Sequence, residues 1–502
     1  MREACGVFGV YAPRVEVAPL VFDGLFTLQH RGQESAGMAV SDGQTITVVK
    51  DMGLVTSVFT PHSLDSLQGH LGLGHVRYST MGQSNWRNAQ PVYRSHGDAG
   101  FALGHNGNLT NVAMLESEAG MLPGFTPSDS DLIGELLARA FPIADEGSVA
   151  EGLEEALCSV LPRLEGAFSL GLIDATRLYA VRDPNGFRPL CLGRLEWPDE
   201  EGWAVASESP ALATVGASFV REIEPGELVV IGQDGVRSLR PFPPARVVPK
   251  LCVFEFVYFA RPDAELYGRE VHAARRRMGE RLADESPVEA DLVIGVPDSG
   301  VPAAEGFSVR SGIPFGQGLV KNRYIGRTFI APTVAARSDG VRRKLNPLRE
   351  SVGGKRLVVI DDSIVRGTTT SQIVRVLREA GAREIHLRIS SPPFRWPCFY
   401  GIDTPVREEL LAAFSDTAGI AAQLGADSVA YLSLEGLFQA IGVPGSEFCS
   451  ACLSGEYPTR VSLSAPDAAG VAARGTSVPP AGSDRVVAGH GGSLWSGPAS
   501  IR

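Results

Sequence analysis

The stretch VVIDDSIVRGTTT (Val358–Thr370) sets the reading of this chain. A hydrophobic run from Leu357 to Ile360 has the character of a buried strand, and it ends in two adjacent carboxylates, Asp361 and Asp362. A turn of small residues follows, and the spacing predicts a helix starting at Thr368. Such a turn can cradle a phosphate. The backbone N–H groups of Val365, Arg366, Gly367 and Thr368 converge on an anion at the helix N-terminus, where unpaired donors and the dipole favour negative charge. The hydroxyls of Ser363, Thr368, Thr369 and Thr370 add hydrogen bonds, and Gly367 lets the backbone approach closely. The acid pair suits a polyhydroxylated ring, because carboxylates accept strongly from hydroxyls, and it suits Mg2+ held directly or through water. A lone Asp-Asp pair would read as a capped strand. Strand, acid pair, glycine turn and threonine run together read as a ligand site.

The whole string resembles the phosphoribosyl pyrophosphate (PRPP) signature of the type I phosphoribosyltransferases. That resemblance implies that Asp361 and Asp362 contact the ribose hydroxyls and that Ser363 to Thr370 hold the 5′-phosphate. Around it, strands and helices alternate: a helical run over 269–282, the strand DLVIGV, the turn PDSG (Pro297–Gly300), a helix from about Val301 and the strand FGQGLV. This order predicts a parallel sheet with crossover helices, whose ligands bind at the carboxyl ends of the strands, where both PDSG and 361–370 fall. The resemblance makes PDSG the pyrophosphate loop, with Ser299 a Mg2+ ligand. The basic segments KNRYIGRTFI (Lys321–Ile330) and RSDGVRRKLNPLR (Arg337–Arg349) share one long loop, and such loops are functional or disordered. It is similar to the flexible catalytic loop of these enzymes, which implies that Lys321, Arg323 and Arg327 offset charge on the leaving pyrophosphate. A solvated basic loop is the plainer alternative.

The chain opens MREACGVFGVYAP. If residues 1–4 are removed as a propeptide, Cys5 owns both a thiol nucleophile and a free α-amine, whose ordinary pKa of about 7.7 to 8.0 lets it accept the thiol proton near neutrality. Arg2 is too large for ordinary methionine removal, so another route must cut MREA. Downstream motifs supply partners. GHVRYST presents Arg77, whose fork pairs well with an α-carboxylate. GHNGNL offers an exposed amide at Asn106 and the N–H of Gly107 as oxyanion donors. SDSD precedes an amphipathic run, so Asp131 lies at a helix start and can receive an α-ammonium group. Singly, these read as an ion pair, a hairpin turn and a first-turn acid.

With HRGQESAG (His30–Gly37), these motifs in this order resemble the glutaminase domain of the N-terminal-nucleophile amidotransferases. The resemblance implies that Cys5 attacks the glutamine amide, Asn106 and Gly107 stabilise the oxyanion, Arg77 and Asp131 clamp the amino-acid end, and Arg31 and Thr80 support them. It covers residue 5 to about 235. Short strands in runs flanked by helices suggest two sheets between helical layers, the family's αββα arrangement. RDPNGFRPL (Arg182–Leu190) reads as a structured turn. The Pro-rich PFPPARVVPK marks the boundary with a second domain over 250–455.

At 502 residues, two domains and a tail are expected. Hydrophobic content of 44% and charged content of 21% describe a globular protein, and a net charge of −11 argues against coating nucleic acid. No apolar run spans a bilayer and the N-terminus is a poor signal peptide, so the expected compartment is the cytoplasm. Residues 465–502, poor in large apolar side chains, read as a disordered tail.

Seven cysteines do not suggest a disulfide framework. Cys158 and Cys191 read as small core residues. Cys252, Cys398, Cys449 and Cys452 suggest a metal site, although the CxxC of the last two does not separate a redox pair, zinc and iron–sulfur. Both halves together resemble the glutamine PRPP amidotransferases, one branch of which carries a [4Fe–4S] cluster on cysteines in these contexts and a short cleavable propeptide. The resemblance implies amination of PRPP by glutamine, giving 5-phosphoribosylamine, glutamate and pyrophosphate, with purine nucleotides as feedback inhibitors and a homotetramer as the assembly. Three alternatives stay open: an amidotransferase with another acceptor, which has no need of Asp361–Thr370; a PRPP- or nucleotide-sensing regulator, which releases no pyrophosphate; and a self-processing hydrolase using Cys5, which leaves the second domain idle.

Overall fold

Along Gly6–Tyr11 alternate side chains go to opposite faces, as a strand buried on both sides requires. Phe8 and Val10 pack with Val21 and Leu25 of the helix Ala18–Thr27, whereas Val7 and Tyr11 meet Ile173, Leu178 and Ala180 of a second sheet. That alternation builds the layers. The computed structural model describes residues 5–461 apart from 79–84, 97–98, 123, 125, 142–148, 199, 323–344 and 405. The propeptide segment, Thr80, Arg323, Arg327 and the 465–502 tail therefore lie outside the described residues.

Among the described residues the first sheet runs Ser218–Glu222, Cys191–Trp197, Glu200–Ala206, Gly6–Tyr11, Leu71–Arg77, Ser35–Ser41, Ile46–Met52 in spatial order. The second runs Gly235–Leu239, Leu228–Gly232, Leu178–Arg182, Gly166–Ile173, Ala99–Leu109, Val92–His96. Helices Asp129–Ala140 and Val149–Val160 cover its outer face through Leu132, Leu136, Leu153 and Leu157. The result is the αββα sandwich expected. Its pairing extends beyond residue 235, because Gly235–Leu239 forms an antiparallel ladder with Leu228–Gly232. The Pro-rich segment is tied back as well: Arg246 donates to the Leu164 carbonyl at 3.1 Å and Val248 N to the Pro184 carbonyl at 3.0 Å.

The later part holds a parallel sheet in the order Leu292–Gly295, Arg356–Asp361, Glu384–Ile389, Ser428–Tyr431. Helices Val271–Glu285 and Val301–Ser311 bury Met278, Ala303 and Phe307 against Val358 and Ile360 on one face, and Thr368–Glu379 buries Ile373 and Leu377 against Val359 and Leu387 on the other. FGQGLV departs from expectation. Phe315 makes only an isolated bridge to Val293, and Leu319–Lys321 pairs antiparallel with Leu345–Pro347 outside the parallel sheet. Both parts belong to one unit, Met1–Ser462. No helix among the described residues is long and apolar enough to cross a membrane.

Candidate active site

Cys5 immediately precedes the central strand of the first sheet, and burial pushes its thiol above the ordinary 9.0. Its Sγ lies 3.5 Å from the Tyr78 carbonyl, and its own carbonyl accepts from Arg31 Nε at 3.0 Å. Three charges act on the thiol: Arg77 favours the thiolate, whereas Asp129 and Glu34 oppose it. Arg77 ends the strand Leu71–Arg77 and donates to Glu34 Oε1 at 2.9 Å.

Asn106 and Gly107 lie within the strand Ala99–Leu109, opposite Ser169 and Phe168. Pairing on that edge buries the amide expected to be exposed: Asn106 is 1% exposed, and neither its Nδ2 nor its Oδ1 has a partner within the protein. A buried amide with both ends unsatisfied is costly unless a ligand completes it. Gly107 is there for backbone reasons. Its φ is 151°, and a Cβ at this position would stand 2.0 Å from the Ala167 carbonyl oxygen.

The two acids of SDSD have different surroundings. Ser128 caps the helix Asp129–Ala140, accepting from Asp131 N at 3.2 Å and donating to Asp131 Oδ2 at 3.0 Å, while Asp131 Oδ1 takes Arg94 Nη2 at 2.6 Å. Asp131, the residue singled out from the sequence, is thus occupied by a cap and an ion pair. Asp129, missed there, is the carboxylate whose charge reaches Cys5. It accepts from Leu109 N at 3.2 Å and faces His105 Nδ1 at 3.5 Å. Burial alone would raise its carboxyl, but His105 and the Leu109 and Ser130 N–H groups outweigh burial and hold it low. The signal was present in the sequence, since a Ser N-cap with an acid three residues on is a capping pattern that assigns Asp131 to the helix. Arg31 sits behind the nucleophile rather than in the ligand's path. All three guanidinium nitrogens are committed inside the protein, Nε to Cys5 and the others to Glu208 and Glu255, so none is free for glutamine.

In the parallel sheet the strand Arg356–Asp361 delivers the acid pair to its carboxyl end, and Gly367, at φ 74°, turns the chain into the helix Thr368–Glu379. Asp361 and Asp362 are buried, while the Thr368 and Thr369 side chains stand in solvent and Ser363 is partly open. Burial and the neighbouring Asp362 push the Asp361 carboxyl well above the usual carboxylate range. Ser299 Oγ, at the tip of PDSG, donates to Asp362 Oδ2, and Ser363 Oγ donates to Asp362 Oδ1. Ser299, Asp361 and Asp362 are therefore together. Lys321 pairs with Asp298, and Arg366 Nε with Glu409 at 2.6 Å, which leaves the Arg366 backbone N–H, not its side chain, on the cradle side.

The four distant cysteines also gather. Cys252 and Cys449 are register partners in the parallel pair Leu251–Cys252 and Phe448–Cys449. Arg395 N and Trp396 N both donate to the Cys452 carbonyl, at 2.9 and 3.0 Å, bringing the segment of Cys398 alongside. All four are free, burial pushes the Cys252 thiol up to about 12, and the Cys398 and Cys449 thiols are raised for the same reason. Among the described residues, however, no group of three or more His, Cys, Asp or Glu side chains is arranged to hold a metal ion. Burial and the neighbouring Cys398, Cys252 and Cys449 push the Cys452 thiol well above its usual range, so the four share one neighbourhood. Cys191 is a core residue as expected, and Cys158 is exposed on its helix instead.

A glutamine amidotransferase domain model matches residues 75–214, and a phosphoribosyl transferase domain model matches 268–390. The amidophosphoribosyltransferase of Mycobacterium tuberculosis is 54% identical over 470 residues, covering 91% of this chain and 86% of that protein. That of Synechococcus elongatus is 50% identical, covering 92% of each. Among solved structures, the glutamine PRPP amidotransferase of B. subtilis complexed with ADP and GMP superposes with a TM-score of 0.81 at 42% identity, covering 91% of this chain and 98% of that one. This chain belongs to the amidophosphoribosyltransferase family.

Proposed function

We propose that the chain aminates PRPP with ammonia drawn from glutamine, giving 5-phosphoribosylamine, glutamate and pyrophosphate in the first committed step of purine synthesis. One observation carries this reading: a buried thiol, a buried unpartnered amide and a phosphate cradle with an acidic lip occur in one unit. With residues 1–4 removed, the α-amine of Cys5 accepts the thiol proton, and the sulfur attacks the glutamine side-chain carbonyl. Asn106 Nδ2 and the Gly107 N–H donate to the oxyanion. Arg77 holds the α-carboxylate, and Asp129 replaces Asp131 as acceptor of the α-ammonium. Arg31 acts through the Cys5 carbonyl, and Thr80 is a further support. Collapse of the tetrahedral adduct expels ammonia and leaves a thioester, which water hydrolyses to glutamate.

Ammonia kept inside the protein stays unprotonated and attacks C1 of PRPP as pyrophosphate leaves. Asp361 and Asp362 hold the ribose hydroxyls. Ser363, Val365, Arg366, Gly367, Thr368 and Thr369 hold the 5′-phosphate by backbone N–H groups and hydroxyls. Ser299 with the acid pair fits Mg2+, because hard oxygen donors are what that ion takes and a cation would ease the burial of two adjacent carboxylates. When bound, Mg2+ supplies positive charge to the pyrophosphate oxygens. Lys321, Arg323 and Arg327 add positive charge to the leaving group, and for Lys321 this means exchanging Asp298 for phosphate.

Four free thiols, those of Cys252, Cys449 and Cys452 buried and that of Cys398 partly buried, fit a [4Fe–4S] cluster by donor chemistry. Such a cluster would be structural or respond to oxygen, since neither half-reaction moves electrons. About four irons and four sulfides per chain in protein purified without oxygen support the cluster, and iron-free protein with full activity would remove it. Purine nucleotides are proposed as inhibitors at the ribose 5-phosphate site, in line with the ADP and GMP complex of the B. subtilis protein. The same reading places the enzyme in the cytoplasm as a homotetramer, with boundaries near 5–235 and 250–455. Cys5→Ala tests the function: glutamine-dependent synthesis should fall by more than about a thousandfold while synthesis from high ammonia persists, and loss of both would break the two-site account.

A further inference from the structure

The segment that opens the second domain carries a buried acid, Glu255, at the start of the π-helical turn Glu255–Phe259. Its carboxylate is shared by two arginines from the first domain. Arg31 donates from Nη2 to Oε1 at 2.8 Å and from Nη1 to Oε2 at 3.1 Å, and Arg188 Nη1 donates to Oε1 at 3.2 Å. Arg31 also pairs with the buried Glu208, whose Oε2 accepts from Arg261 N at 2.9 Å. Arg31 Nε holds the Cys5 carbonyl. The π-helical turn is itself fixed from behind, because the buried Arg275 donates to the Phe256 and Ala260 carbonyls at 2.8 and 2.9 Å. Arg188 belongs to the turn RDPNGFRPL, which the chemistry above leaves unused. It lies over the Phe259 ring, donates to the Tyr400 carbonyl at 3.0 Å, and follows Phe187, which stacks on Tyr400 with centroids 4.3 Å apart.

Charges so thoroughly removed from water are costly unless paired in good geometry, and truncating one partner leaves the others uncompensated. Arg31 and Arg188 meet Glu255 here, and Glu208 is shared by Arg31 and by His30, whose Nε2 lies 2.8 Å from its Oε1. One arm of the array ends on the backbone of the nucleophile. We infer that Glu255 is a positioning residue for the glutaminase half-reaction: contributed by the second domain, it holds Arg31 in the one orientation that fixes the Cys5 carbonyl, with Arg188 as its brace.

The inference rests on the proposed glutaminase role of Cys5, and the Glu255→Gln protein tests it beside the wild type. Glutamine-dependent kcat should fall about tenfold or more, since small misplacements of a reacting atom are expensive. The glutamine KM and the ammonia-dependent rate should each stay within about twofold, because neither the groups proposed to clamp glutamine nor the cradle is touched. Arg31→Lys keeps the charge but loses the Nε donor and should give the same split, and the double variant should be no worse than the weaker single one. A kcat within twofold of wild type, a parallel fall in the ammonia-dependent rate, or a change confined to KM would overturn the inference. Should Glu255→Gln not accumulate as folded protein, Arg188→Lys, which cannot reach both Glu255 and Tyr400 as a fork does, must show the kcat-only loss. Labelling of Cys5 by iodoacetamide reads its placement without turnover: a rate changed severalfold in the variant supports the inference and an unchanged rate defeats it. A wild-type chain that labels normally but makes no product from glutamine would instead defeat the reading of function.

Discussion

At the first candidate site the proposed groups lie inside the protein, with Asn106 1% and Arg77 4% exposed, whereas at the proposed phosphate cradle Thr368 and Thr369 are exposed. The first site is assembled before its ligand arrives. Donors held in a low-dielectric interior need no reorganisation when charge develops on an oxyanion. The second site holds Lys321 in a provisional pair with Asp298, which a phosphate can exchange. A small neutral amide is served by fixed dipoles. A large polyanion is served by an open lip and by cations that can move to it.

The largest effect should come where the open site has its buried core. Asp362→Asn removes the carboxylate that takes both Ser299 and Ser363, and it should lower the ammonia- and glutamine-dependent rates together by about a hundredfold or more. An unchanged rate would take the acid pair out of the site. Next, Asp129→Asn should raise the glutamine KM about tenfold or more, against less than about threefold for Asp131→Asn, as expected if only the first loses a charge facing the ligand. The reverse order would restore Asp131 to the role read from its sequence position.

The smallest effect concerns a buried acid in the turn Arg182–Leu190. Burial raises the Asp183 carboxyl from the ordinary 3.8 to about 6, even though it accepts from Phe168 N and Asn185 N. A raised acid binds its proton more tightly in the folded state, so its contribution is fully present below about pH 4 and is lost as the pH climbs through about 6, some ~3 kcal/mol in all. Urea unfolding of the wild type and of Asp183→Asn at pH 4 and pH 7 checks this. The slope should flatten in the variant, and a parallel pH dependence would place the burial cost elsewhere.

Much of both sites was legible. Strand, acid pair, Gly367 and threonines announce the cradle because each residue type does its work locally, and the strand and helix fall at Arg356–Asp361 and Thr368–Glu379. The amide site was legible in its motifs and less so in its details. The Asn106 amide was expected to be exposed, and in the strand paired with Gly166–Ile173 it is buried. Asp129 was not singled out, because nearness to a thiol more than a hundred residues away is not a local property. Glu208 and Glu255 were invisible as partners of Arg31, being 177 and 224 residues from it.

The strands, helices and parallel sheet were legible because hydrophobic periodicity and turn chemistry act over a few residues and repeat along the chain, and the family was legible through the resemblance of the ordered motifs. Only the tertiary structure decided which acid faces Cys5, that Arg31 is a buried strut, and that four remote cysteines become neighbours. Those outcomes depend on burial and on charge pairing between distant segments, whose energies arise only when water is excluded from between them.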